Sequence, residues 1–286
     1  MNRTKLWTLL GLALGILIIA IAFTEKAPQR KRGDIHYTVS QRWELPTQLR
    51  EISGIDWLDE DRVAAVQDEN GLIFIYNLKD KGVEEIIEFA GSGDYEGIAV
   101  ANTDAYVLRS DGLLYEVAEF RSSGRTVKTY ETFFTAEQDV ETLEFDPDGN
   151  RLLLAPKAYD QNSENYKGIY AFSLNTKKMQ SGFVFKIEMT DKVLKRFRQN
   201  KLHKTFRPSD MAINPVNGLM YLIEGTKPKL LIMNSDGSLK SAHVLDNRLF
   251  PQPEGITFSP DGRLFISSEG KNGNNASISE MKLTEN

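Results

Sequence analysis

The sequence contains no cysteine. Disulfides, thiolate nucleophiles and cysteine metal sites are therefore excluded together, and so is a lipid anchor on a cysteine. Histidine is scarce: only His36, His203 and His243 are present. None stands at a repeated position, so each reads as a strand or surface residue. No G-x-S-x-G elbow and no H-E-x-x-H pair occurs, so these two catalytic signatures are missing. The single "GSG" at Gly91–Gly93 leads into a strand rather than a helix, which makes it a turn and not a phosphate loop. Basic excess is also lacking. The chain of 286 residues holds 35 Lys and Arg against 40 Asp and Glu, a formal charge of −5. That balance argues against a nucleic-acid partner.

Only one long apolar run is present. "MNRTK" is basic, and Leu6 to Phe23 then runs without a charge. Eighteen residues is the short end of a bilayer span, which takes roughly 20. It exceeds the usual signal-peptide core of about 7–15. Residues 1–32 therefore read as a membrane anchor or signal segment with a basic linker, and the anchor places residues 6–23 in the membrane as one N-terminal hydrophobic helix. The alternative is a signal peptide cleaved near Ala20-Ile21-Ala22, giving a periplasmic or secreted protein. Either way residues 33–286 are expected outside the cytoplasm. Without residues 1–32 the chain keeps 29 basic and 39 acidic residues. Such an acidic domain suits metal cations better than polyanions.

The rest of the chain is repetitive. "EISGIDWLDEDRVAAVQDENGLIFIYNL", "DYEGIAVANTDAYVLRSDGLLYEV", "DVETLEFDPDGNRLLLAPK", "RPSDMAINPVNGLMYLIEGTKPKLLIMN" and "QPEGITFSPDGRLFISSEG" align on Gly54, Gly97, Thr142, Asp210 and Gly255. The spacings are 43, 45, 68 and 45. A period near 45 with one insertion is a propeller signature. Alternating apolar and polar residues indicate strands, and "DPDG", "SPDG" and "NPVNG" are turn chemistry. Four strands per unit predict an all-β fold, a five-bladed β-propeller. A six-bladed ring is the alternative, but no sixth hairpin is found. The last unit lacks a fourth strand, and "IHYTVSQRWEL" (Ile35–Leu45) can supply it, closing the ring. The insertion near 190–206 has helical apolar spacing at Val193, Leu194, Phe197 and Leu202, and carries seven basic residues from Lys192 to Arg207. It reads as a solvated helix, or else as a docking site for an anionic partner or lipid headgroup.

A ring brings equivalent positions together at one mouth of its channel. The start of each inner strand supplies Ser53, Glu96, Glu141, Ser209 and Glu254, and Asp210 adjoins them. The end of each second strand supplies Asp68 or Glu69, Arg109, Lys157, Glu224 and Glu269. Like charges about 6 Å apart repel by roughly 3 kcal/mol at an effective dielectric of 20, so cations must offset this ring. Arg109 and Lys157 can do part of it in a salt-bridged plug, or a metal can be bound. The candidate ligands are Glu96, Glu141, Glu254, Glu224, Glu269 and Asp68. Oxygen ligands with loose geometry favour Ca²⁺ over Mg²⁺.

The five units, with the hydrophobic segment before them, resemble the SdiA-regulated, or YjiK-like, propeller family from about Tyr37 to Leu283. The resemblance rests on Glu-Gly at Glu96 and Glu254, Glu141 with Thr142 in place of Gly, Ser-Gly at Ser53, Lys157, and Ser268-Glu269. It implies a propeller outside the cytoplasm and carries no established reaction. Ser209-Asp210 and Thr142 depart from the pattern. More distantly, Glu-Gly is similar to the pattern of calcium-dependent propeller lactonases, which implies a metal-ligating Glu. The expectation is a membrane-anchored propeller that binds an unknown small ligand or protein at an acidic mouth with Ca²⁺. Its alternative is a calcium-dependent hydrolase of lactone, ester or phosphate substrates.

Overall fold

The computed structural model describes residues 35–270 and 275–284. The expected helix at residues 6–23 lies outside them. No helix among the described residues is long and apolar enough to cross a membrane. The unit from Ile35 onward is built from five four-stranded antiparallel sheets.

Strand β1 (His36–Glu44) comes first and waits for its partners at the other end of the chain. Blade 1 is β2 (Ile52–Asp59), β3 (Arg62–Gln67), β4 (Asn70–Asn77) and β5 (Gly82–Ser92). Blade 2 is β6 (Tyr95–Ala101), β7 (Asp104–Arg109), β8 (Leu114–Ala118) and β9 (Thr126–Tyr130). Blade 3 is β10 (Val140–Asp146), β11 (Arg151–Pro156), β12 (Tyr166–Ser173) and β13 (Lys178–Glu188). Blade 4 is β14 (Asp210–Ile213), β15 (Met220–Glu224), β16 (Lys229–Met233) and β17 (Leu239–Val244). Blade 5 is β18 (Pro253–Phe258), β19 (Leu264–Ser268) and β20 (Ser277–Thr284), completed by β1. The pairing of β1 with β20 runs from His36 opposite Thr284 to Glu44 opposite Ser277. This closure joins the first and last described strands and covers the edge of β20.

Each seam between blades has its own apolar core. Ala64, Ile73 and Ile75 of blade 1 meet Ile98, Val107 and Val117 of blade 2. Trp43, Phe265 and Ile278 of blade 5 meet Ile55, Trp57 and Phe74 of blade 1. The other three seams repeat the arrangement. The period-2 pattern of the sequence follows from this, because each blade packs both faces against neighbours.

The inner strands have one edge unpaired by any strand. Its N–H groups need acceptors. Side chains of the preceding blade provide them in register. Asp56 Oδ2 accepts from Val100 N at 2.7 Å, and Glu144 Oε1 accepts from Ile213 N at 2.7 Å. Asp210 Oδ2 accepts from Ile256 N at 2.8 Å, and Thr257 Oγ1 accepts from Trp57 N at 3.0 Å. Burial raises the Asp56 carboxyl to about 6 despite the amides of Val100 and Trp57 and the Thr257 hydroxyl. Burial likewise pushes Glu144 and Asp210 well up.

The glycine of the repeated Glu-Gly or Ser-Gly pair has a packing cause. A Cβ on Gly97 would lie 2.8 Å from Glu141 O and 2.9 Å from Leu143 Cβ. Inner strands of adjacent blades approach too closely there for a side chain.

The insertion is not one helix. It forms a 3₁₀ helix at Lys192–Phe197 and a single turn at Leu202–Lys204, separated by extended backbone at Arg198. Asp191 caps the first by accepting from Val193 N at 2.7 Å. Leu194 and Phe206 are fully buried, and Val193, Phe197 and Leu202 pack beside them in the seam between blades 3 and 4. Anchoring at both ends holds the segment down without the continuous hydrogen bonding of an α-helix.

Candidate metal centre at the channel mouth

The start of the inner strand carries a local irregularity in blades 1, 2, 3 and 5. The register of pairing slips between Ile52 and Gly54, Tyr95 and Gly97, Val140 and Thr142, and Pro253 and Gly255. The residue skipped in each case is Ser53, Glu96, Glu141 or Glu254. A bulge inserts one extra residue and re-aims its side chain. Four of the five first mouth positions are thus bulge residues. In blade 4 the pairing is regular from Asp210 opposite Ile223. Ser209 precedes the strand there, and its Oγ accepts from Gly225 N at 3.1 Å.

The structure draws together part of the expected set. Glu96, Asp139 and Glu141 each offer a carboxylate oxygen, all within 4.8 Å of one another, and they form the one such group among the described residues. Lys157 Nζ donates to Glu141 Oε1 in an ion pair. Glu141 is only 4% exposed, and its Oε2 is buried without a hydrogen-bond partner. Glu254 is buried too and lies over Gly225, where an added Cβ would meet Glu254 Oε1 at 2.4 Å. Arg207 Nη2 stands 3.8 Å from Asp139 Oδ2. The fully buried Lys167 donates a side-chain N–H to Lys157 O. Burial lowers the Lys167 amine to about 7, with Arg207 pushing the same way.

The electrostatics follow from crowding. Burial raises Glu96 to about 8, and Asp94, Glu254 and Asp139 add to it while Lys157 opposes. Glu141 is raised well above the carboxylate range by burial, and Glu254 and Glu96 add to it against the attraction of Lys157. Burial on its own would lower Lys157, but the combined fields of Glu141, Glu254 and Glu96 raise it. When ionised, Glu96, Asp139, Glu141 and Glu254 carry four negative charges against Lys157 and Arg207. With the Lys167 amine neutral, two charges are left without a fixed counterion.

The other expected residues are engaged elsewhere. Arg109 forms a two-point pair with Asp111, at 2.9 Å from Nε to Oδ1 and 2.6 Å from Nη2 to Oδ2. Glu224 pairs with Lys229 at 2.6 Å and accepts from Arg207 N at 3.0 Å. Glu269 accepts from the Gln252 amide. Asp68 is raised to about 6 by burial, with help from Glu51, Glu69 and Asp94, and its Oδ1 is buried without a partner. Ser53 Oγ donates to Tyr95 O at 2.6 Å. Asp210 is turned to the seam with blade 5, as described above. Asp139 was not among the expected ligands. It stands two residues before a bulge, where the other blades place Glu51, Asp94, Arg207 and Gln252. That recurrence was a usable signal.

Comparison with known proteins agrees with the fold. No family model matches the chain, and no curated protein matches it. Among solved structures, the chain is similar to Myxococcus xanthus glutaminyl cyclase with a TM-score of 0.61 at 12% identity, over 87% of this chain and 97% of that one. It is also similar to a streptogramin B lyase with a TM-score of 0.51 at 11% identity, over 88% of this chain and 98% of that one. Identities this low establish the β-propeller fold alone.

Proposed function

We propose that the chain is a propeller of the SdiA-regulated, YjiK-like kind, held at the membrane by residues 6–23 and exposed outside the cytoplasm. In this reading it binds a ligand or partner at its acidic mouth through a calcium ion. The observation that carries the reading is the oxygen triad of Glu96, Asp139 and Glu141, with the buried, unpartnered Glu141 Oε2 facing no hydrogen-bond donor. A buried carboxylate oxygen without a donor is costly. A hard divalent cation satisfies it, matches the two uncompensated charges, and accepts six to eight oxygens at loose geometry. Three carboxylates leave coordination positions for water or ligand atoms. Lys157 holds the other oxygen of Glu141 and keeps that carboxylate in place.

The proposal has a pH signature. Glu96 titrates near 8 in the folded chain against an ordinary value of 4.5. Without metal, its contribution to stability is therefore complete below about 4.5 and is lost as pH rises through about 8. Calcium binding requires the ionised form and so releases a proton at neutral pH. Apparent calcium affinity should rise at least about tenfold per pH unit from pH 6 to pH 7. Calorimetry of the full chain in detergent, in two buffers of different ionisation enthalpy, measures both the affinity and the released proton. No heat and no thermal shift at millimolar calcium across this range would remove calcium from the proposal.

A further inference from the structure

Among the described residues the acidic propeller carries a concentrated basic surface between Lys192 and Lys204. Between Thr190 and Arg207 the only acidic residue is Asp191, and its carboxylate is engaged in capping Val193 N. Lys192, Lys195, Arg196, Arg198, Lys201 and Lys204 are all exposed. Their backbone is fixed from beneath by the buried Leu194 and Phe206. Arg196 Nη2 also donates to Ala242 O of β17 at 2.7 Å, and Arg198 Nη2 to Thr190 O. The charges are thus displayed on a packed scaffold rather than on a free loop.

The adjoining residue of β17 makes the second observation. His243 Nδ1 accepts from Ile35 N at 3.0 Å. Ile35 is where the chain arrives from residues 1–34. Arg196 and Ile35 therefore bond to neighbouring residues of one edge strand. Eleven residues lie between Phe23, the end of the apolar run, and Ile35. Even fully extended they reach no more than about 43 Å. A surface fixed within that reach of a bilayer meets its headgroups at high effective concentration.

We propose that the 192–204 surface docks on anionic phospholipid headgroups of the membrane that holds residues 6–23. The inference rests on the anchoring part of the functional reading and not on the calcium part. Phosphodiester headgroups are the matching chemistry, because clustered lysines and arginines gain attraction from a negative leaflet that falls off within a Debye length. Docking at blade 4 would fix which edge of the propeller meets the membrane.

The test uses the full chain in nanodiscs of phosphatidylcholine alone and with 30% (about one lipid in three) phosphatidylglycerol. Hydrogen exchange is read in residues 190–204. The expected result is exchange slowed about tenfold or more by phosphatidylglycerol, restored by about 0.5 M salt, and absent in a Lys192→Gln, Lys195→Gln, Lys201→Gln, Lys204→Gln variant. These lysines are exposed, so calcium titration of the variant should match the wild type and serves as the folding control. Equal exchange in both lipids overturns the proposal. A chain that fails to enter phosphatidylcholine discs overturns the anchor. In that case flotation with phosphatidylglycerol vesicles decides the surface by itself, since no flotation would also reject the docking.

Discussion

Replacing Glu141 by Gln is expected to weaken calcium binding by at least about 100-fold. Glu141 is the deepest member of the oxygen triad and carries its one buried oxygen without a hydrogen-bond partner. Glutamine preserves the volume but supplies one neutral oxygen and an amide that repels the cation. The substitution also strands the ammonium of Lys157, which donates to Glu141. Losing a buried pair between carboxylate and cation costs about 3–5 kcal/mol, which is roughly 100-fold or more in affinity. Glu96→Gln tests the same site without disturbing Lys157 directly, and its loss of affinity should be accompanied by a shallower pH dependence between pH 6 and pH 8. Calcium titration calorimetry on both variants is the check, with thermal melts in EDTA to confirm that each folds. Unchanged affinity in Glu141→Gln would place the ion elsewhere.

The second large effect concerns ring closure. Trp43 of β1 is 5% exposed, its Nε1 donates to Leu78 O at 2.6 Å, and its ring lies 6.1 Å from that of Phe265. It ties the first strand of the chain to blades 5 and 1 together. Trp43→Ala should cost about 3–5 kcal/mol, which lowers the melting temperature by roughly 6–20 °C in a domain of this size. The calcium-dependent rise in melting temperature should survive in the variant, because Trp43 is not part of the mouth. A drop of less than about 2 °C would mean that β1 contributes little to closing the ring.

The blades were legible because their signals are local. Alternation along "GITF" and "RLFIS" and the turn "SPDG" specify a hairpin without reference to the rest of the chain, and five copies specify the ring. The pairing of Ile35–Leu45 with the last blade was legible by counting strands. The bulges were not, because a register slip depends on two strands at once. The residues they re-aim, Glu96, Glu141 and Glu254, were found through recurrence instead. Recurrence also misled. Arg109 and Lys157 occupy equivalent positions, yet Asp111, two residues beyond Arg109, captures its guanidinium at 2.6 Å. Glu224 stands directly opposite Lys229 in the β15–β16 pairing and is neutralised within its own blade. Asp210 takes the place of a motif glycine, but its side chain reaches the free N–H of Ile256. Asp139 was passed over because it lies outside the strand, with a left-handed backbone at φ 52° that no strand pattern signals.

A crystal of the chain grown with about 10 mM calcium at pH 8, where Glu96 is substantially ionised, tests the mouth most directly. The expected result is one ion with oxygens of Glu96, Asp139 and Glu141 at about 2.3–2.6 Å, and Lys157 still on the far oxygen of Glu141. An ion-free mouth in such a crystal, with the four carboxylates neutralised by Lys157, Arg207 and protons alone, would contradict it.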